Sequence, residues 1–103
     1  MSRRCASLSH MKATLQAVLR ARRNLGTPDE RRRLRVQANL SHAHIAEEVV
    51  RAGVPACTRQ AVAHWERGTR QPRPDALVAY ANVLRALRNE MTEALADVVA
   101  EVA

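Results

Sequence analysis

The chain has 103 residues, with 17 Lys or Arg against 10 Asp or Glu and a formal charge of +7. That length allows one domain with a core, but not a core that also shelters a roomy active site. Its apolar complement is Ala, Leu and Val with no Phe, one Trp and one Tyr, which disfavours strands and favours long helices.

Charge is unevenly placed: residues 1–40 carry +8, residues 41–73 carry +2 and residues 74–103 carry −3. A cationic front and an acidic tail suit a protein that meets a polyanion on one side. Residues 1–6 read as a flexible basic arm containing Arg3 and Arg4. From about Ser9, Leu8, Met11, Leu15, Val18 and Leu19 recur at helical spacing, predicting a helix that ends near Asn24 with Gly26 to stop it. Thr27-Pro28-Asp29-Glu30 is a helix start, with a capping hydroxyl, Pro at the first position and acids at the positive end of the dipole. The helix should reach Ala38, bury Leu34 and Ala38, and turn Arg31, Arg32, Arg33 and Arg35 outward.

Ser41 is expected to cap a third helix, with Ile45, Ala46 and Val49 inward, ending around Ala52-Gly53. Val54-Pro55-Ala56-Cys57 reads as a turn. Thr58 caps a short helix, Arg59 to Arg67, which Gly68 closes; Thr69 to Arg73 is a basic loop. In the short helix Val62 and Trp65 share one face, which leaves Arg59, Gln60, Ala63, His64 and Arg67 on the other.

Pro74-Asp75 opens a last helix with no internal Gly or Pro, so it either runs on as one piece or bends near Arg88-Asn89. Leu77, Tyr80, Leu84, Leu87, Met91, Ala94 and Val98 form a heptad-like stripe along it. The preferred reading packs its distal half on the N-terminal helix of the same chain; the other makes it a surface for a second protomer or another protein.

Several chemistries find no support. His42 and His44 are two residues apart and point to different sides of a helix, and no metal spacing, Gly-rich phosphate loop or paired carboxylates in a pocket occur. No enzyme activity, metal or cofactor is expected. Cys5 and Cys57 do not make a disulfide framework. No apolar run approaches the ~20 residues of a membrane span, and no signal peptide follows Arg3 and Arg4. A cytoplasmic location is expected.

Val62-Ala63-His64-Trp65-Glu66-Arg67-Gly68-Thr69-Arg70-Gln71-Pro72 closely resembles the end of the recognition helix and the following loop in the lambda-repressor and Cro-like (XRE-type) helix-turn-helix family. Arg35, Leu40-Ser41 and Ile45-Ala46 look like its Arg, Leu-Ser and Leu-Ala pattern, and Val78, Ala81 and Leu84 sit where its last core helix is apolar. The resemblance spans about residues 30–86. It implies an all-α, lambda-repressor-like helix-turn-helix bundle, here with an extra N-terminal helix and an extended C-terminal helix. The expected division is 1–26 for arm and N-terminal helix, 27–88 for the helix-turn-helix domain, and 89–103 for a C-terminal extension used in packing or oligomerisation.

A recognition helix enters the major groove with its N-terminal residues at base edges. The resemblance places base contacts at Arg59, Gln60 and His64. Arg forks onto guanine, Gln onto adenine, and Ala63 suits a thymine methyl. Phosphate contacts are expected at His42, Thr58, Arg67, Arg70 and Arg73, with Arg3 and Arg4 as arm contacts. Arg35 and Glu66 match the family's structural ion pair, and Cys57 takes an apolar turn position. One departure stands out: fifteen residues separate Ala46 from Val62, where the family has about nine. The excess must lengthen the first helix of the pair or enlarge the turn.

The family implies a transcriptional repressor on double-stranded operator DNA, in the cytoplasm or nucleoid of a bacterial host cell. A phage immunity (lysogeny) repressor or Cro-like regulator is the leading reading. An antitoxin-type autoregulator that binds a partner protein through its C-terminal helix is the alternative. No autocleavage domain is expected after the module, and DNA damage is not expected to inactivate such a repressor by self-cleavage.

Overall fold

The computed structural model describes residues 14–102, and among them it has five helices and no strand. These are α1 (Leu15–Leu25), α2 (Pro28–Gln37), α3 (His42–Arg51), α4 (Arg59–Arg67) and α5 (Pro74–Val102). The all-α bundle is therefore as expected. The basic arm with Arg3, Arg4 and Cys5, and the stretch from Ser9 with Leu8 and Met11, lie outside the described residues.

Local chemistry sets the helix starts. Thr14 has extended dihedrals and accepts the Ala17 N–H at 3.0 Å, starting α1. Thr27 and Glu30 form a reciprocal capping box on α2, with bonds of 3.1 and 2.8 Å. That box holds the Glu30 carboxyl below the usual carboxylate range, because the Thr27 backbone N–H bonds its charged form. Ser41 caps α3 with His44 in the place usually taken by Glu or Gln, a box that the Ser41 signal alone did not announce. Thr58 caps α4 through the Ala61 N–H at 3.1 Å.

Three ends share one solution. Asn39, Gly53 and Gly68 take positive φ of 60°, 113° and 79° after α2, α3 and α4. In each case the next residue's N–H reaches back to close a six-residue ring: Leu40 to Arg35, Val54 to Val49, and Thr69 to His64, at 3.0–3.3 Å. This is the Schellman ending, which satisfies carbonyls that a helix terminus would otherwise leave open.

The core joins Ile45, Ala46 and Val49 of α3 and Val62 and Trp65 of α4 to Ala76, Leu77, Tyr80, Ala81 and Leu84 of α5, with Ala21 and Leu25 of α1. Tyr80 is fully buried and tilts against Trp65, ring centroids 5.2 Å apart. Leu34 and Ala38 are only half-buried rather than core residues. The Ala46–Val62 excess is absorbed both ways: α3 runs on to Arg51, and Ala52–Thr58 form an enlarged link. Val54 and Cys57 fold back from that link onto the core.

Two expectations need correction. Arg31 does not face solvent with Arg32 and Arg33. It is 6% exposed and donates to the Gly26 carbonyl at 2.6 Å and the Trp65 carbonyl at 2.8 Å. The long side chain follows the inward face of α2 and finds main-chain acceptors that an apolar-periodicity reading cannot see. Nor does the distal half of α5 pack on α1. Helix α1 instead lies along the proximal half, where Ala17, Arg20, Ala21 and Asn24 meet Val78, Ala81, Asn82 and Arg85, and Arg88 reaches the Asn24 carbonyl at 3.4 Å. Eleven residues are too few for α1 to follow a 29-residue partner to its end. Helix α5 runs unbroken from Pro74 to Val102; beyond Met91 it is exposed on every side, and Leu95, Val98, Val99 and Val102 are 54–80% exposed.

No described helix is long and apolar enough to cross a membrane, and no group of three or more metal-ligand side chains occurs among the described residues.

Candidate nucleic-acid interface

Helices α3 and α4, with the link between them, form the two-helix unit. Its second helix is held from behind by three residues of one face: Val62, Trp65 and Glu66, all buried. The first two contribute apolar area; Glu66 is a charge, and it is 6% exposed. Arg35 of α2 meets it as a fork, Nε to Oε2 at 2.6 Å and Nη2 to Oε1 at 2.9 Å. The remaining Nη1 donates to the Leu40 carbonyl at 2.9 Å. The ion pair expected between Arg35 and Glu66 is therefore formed, and it ties α2, the α2–α3 turn and α4 into one frame. Burial pushes the Glu66 carboxyl up, but the Arg35 and His42 bonds outweigh it and hold it below the ordinary carboxylate range.

His42 completes this cluster. Its Nε2 lies 3.2 Å from Glu66 Oε1, and the ring is half-buried. The residue expected at a backbone phosphate is thus turned inward, and part of its hydrogen-bonding capacity is used within the protein. It is the first residue of α3, directly after the Ser41 cap.

The first turn of α4 is free. Arg59 and Gln60 are exposed beside the exposed Thr58 cap. Ala63 and His64, one turn on, are half-buried. His64 is also engaged locally, with Nδ1 2.9 Å from Thr69 Oγ1 and 3.5 Å from Arg67 Nη2. At the far end Arg67, Arg70 and Arg73 are exposed, and among the described residues none pairs with a carboxylate. The fold thus brings Thr58, Arg59, Gln60, Ala63 and His64 together on one helix, with Arg67, Arg70 and Arg73 following along its exit loop. Such a ridge, cationic at both ends and neutral in the middle, carries donors of the kinds that meet phosphates and base edges.

Cys57 is half-buried against the core, and burial pushes its thiol up. A thiol kept protonated is a packing group rather than a nucleophile.

A family model described as a helix-turn-helix domain matches residues 17–95. The match begins within α1 and ends in the exposed part of α5, wider on both sides than the 30–86 span carried by the motif. Neither a curated protein nor a solved structure matches the chain.

Proposed function

The chain belongs to the XRE-like helix-turn-helix domain family, a DNA-binding family, and from that premise we propose that it is a sequence-specific transcriptional repressor of the phage immunity or Cro-like kind. It acts by occupying operators on double-stranded DNA in a bacterial host cell. One observation carries the reading: Arg59 and Gln60 stand exposed on the first turn of a helix whose other face is locked by Val62, Trp65 and Glu66. A rigid helix with free bidentate donors at its N-terminal end is what base readout requires.

In this reading Arg59 and Gln60 take base edges, with Ala63 and His64 reaching the next pair. Thr58, Arg67, Arg70 and Arg73 take phosphates on either side and set the register. His42 holds Glu66 while its end of α3 faces the backbone. Arg3 and Arg4 remain arm contacts of the proposal and lie outside the described residues.

The test separates bases from backbone. Arg59→Ala should lose discrimination at one base pair, by about 1–3 kcal/mol, and relax specificity there. Arg70→Ala should weaken all duplexes alike and lower the slope of log affinity against log salt by about one. Competition binding on a panel of single-base operator variants, run at several salt concentrations, reads both. An unchanged ranking of operators with Arg59→Ala would overturn the groove assignment.

The bare end of α5 favours an interaction role beside this one. Its apolar stripe of Leu95, Val98, Val99 and Val102 shares this end of the helix with Glu90, Glu93, Asp97 and Glu101. Helix α1 offers the complement, exposed Leu15 and Leu19 beside Arg20. We assign the stripe to α1 of a second copy, exchanged reciprocally about a two-fold axis. Sedimentation of the full chain should give twice the monomer mass, and Leu95→Glu with Val99→Glu should give the monomer. A wild-type monomer would refute the second copy, and co-purification of a small partner protein would support the antitoxin-type alternative instead.

A further inference from the structure

A cleft of about 600 Å³ opens where the end of α1, the start of α2 and the loop after α4 meet. Arg22, Gly26, Arg31, Gly68 and Gln71 line it. Arg31 is the unusual member. It is a cation at 6% exposure, and among the described residues no carboxylate pairs with it. Two of its nitrogens reach carbonyls, but its Nε is buried with no hydrogen-bond partner. Glu30 does not supply the missing charge: it lines a different cleft with Arg23, Arg33 and Arg88, and its carboxylate accepts the Thr27 N–H.

Buried charges are normally paired or fully hydrogen-bonded, because an uncompensated one is costly. Carbonyl dipoles offset only part of that cost. Here the unbalanced cation borders an open cleft whose rim carries a second, exposed guanidinium, Arg22, and the side-chain amide of Gln71. The Arg22 guanidinium and the Gln71 amide are donors suited to a tetrahedral oxyanion, and the Arg31 charge, its own Nη groups bonded to carbonyls, lies behind them.

We propose that this cleft takes one phosphoryl group, held at the rim by Arg22 and Gln71 and balanced from behind by Arg31. Two sources share that chemistry: a backbone phosphate of the bound duplex, and the phosphate of a free small molecule. The duplex arm rests on the DNA-binding reading above; the free-phosphate arm does not. In the duplex case α1 widens the footprint beyond the two-helix unit by one phosphate, next to Arg70.

The experiment uses the full chain and three variants, Arg22→Ala, Gln71→Ala and Arg23→Ala, the last on the same helix but outside this cleft. One arm exchanges chloride for inorganic phosphate at constant ionic strength and reads Tm. The other measures affinity for mixed-sequence duplexes against salt. A salt slope lowered by about one in Arg22→Ala, with Arg23→Ala at the wild-type slope, assigns the cleft to a duplex phosphate. A phosphate-dependent rise in Tm that Arg22→Ala and Gln71→Ala abolish, without a change in slope, assigns it to a free phosphate. Equal slope losses in Arg22→Ala and Arg23→Ala mean a diffuse basic field and overturn the proposal, as does an Arg22→Ala protein indistinguishable from wild type in both arms. A wild-type chain that binds no duplex refutes the DNA reading, while the Tm arm still decides the cleft.

Discussion

Arg35→Ala should destabilise the fold by about 3–5 kcal/mol, the cost of leaving one member of a buried ion pair without its partner. Glu66 is the member left behind, at 6% exposure, with only His42 to answer it. The pH dependence makes the origin visible. In the wild type Glu66 titrates below the ordinary carboxylate value of 4.5, so its contribution is present above that value and fades as pH falls through the folded pKa. In the variant the raising effect of burial is opposed far less, so the carboxyl takes up a proton more readily in the folded state. The penalty should therefore be largest near neutrality and shrink as pH falls through the range in which the variant's carboxyl is protonated and the wild type's is not. Urea unfolding of both proteins from pH 7 to pH 3 measures this. A gap that stayed constant over that range would mean the loss is one of packing, not of charge.

A comparable loss, about 3–5 kcal/mol, is expected for Tyr80→Ala. Its ring lies fully buried against Trp65, so truncation opens a cavity between α4 and α5 that rigid helices cannot close. The phenol gives a second readout. Burial pushes its pKa from 10.0 up to about 12, so the folded state resists ionisation. A raised pKa contributes stability that is complete below pH 10 and declines as pH rises toward 12. Tyr80→Phe should flatten that alkaline decline while keeping most of the packing, since the ring is retained. Thermal melts at pH 7 and at pH 10–11 compare the three proteins. An alkaline decline of full size in Tyr80→Phe would assign it to other groups.

The parts of the fold legible in the sequence are those whose causes are local. Thr27-Pro28, Ser41, Thr58, Gly68 and Pro74-Asp75 each mark a helix boundary within a few residues, because caps and left-handed positions act over one turn. The inward face of α4 was equally legible from Val62 and Trp65. What failed depends on contacts between distant segments. Arg31 is buried because the carbonyls of Gly26 and Trp65 happen to converge on its end, and Trp65 is 34 residues away. His42 turned inward for the same kind of reason, since Glu66 belongs to another helix. The stripe on α5 showed that one face is apolar, but periodicity carries no information about which segment covers it. The exposed candidates of the interface, Arg59, Gln60, Arg67, Arg70 and Arg73, share a ridge because a single helix and its exit loop carry them. That made their grouping readable before any tertiary contact was known.

The bare end of α5 has a consequence for cooperativity. The packed segment from Pro74 to Leu87 has already met the nucleation cost of the helix, so each later residue adds one hydrogen bond to an existing template. Ala and Glu recur there, and these residues propagate a helix at nearly zero net free energy. In a monomer, the unit that melts as one therefore ends near Met91, and the last turns follow helix–coil statistics of their own. A partner that lands on them meets a surface already close to its bound shape, and the ordering entropy left to overcome is small.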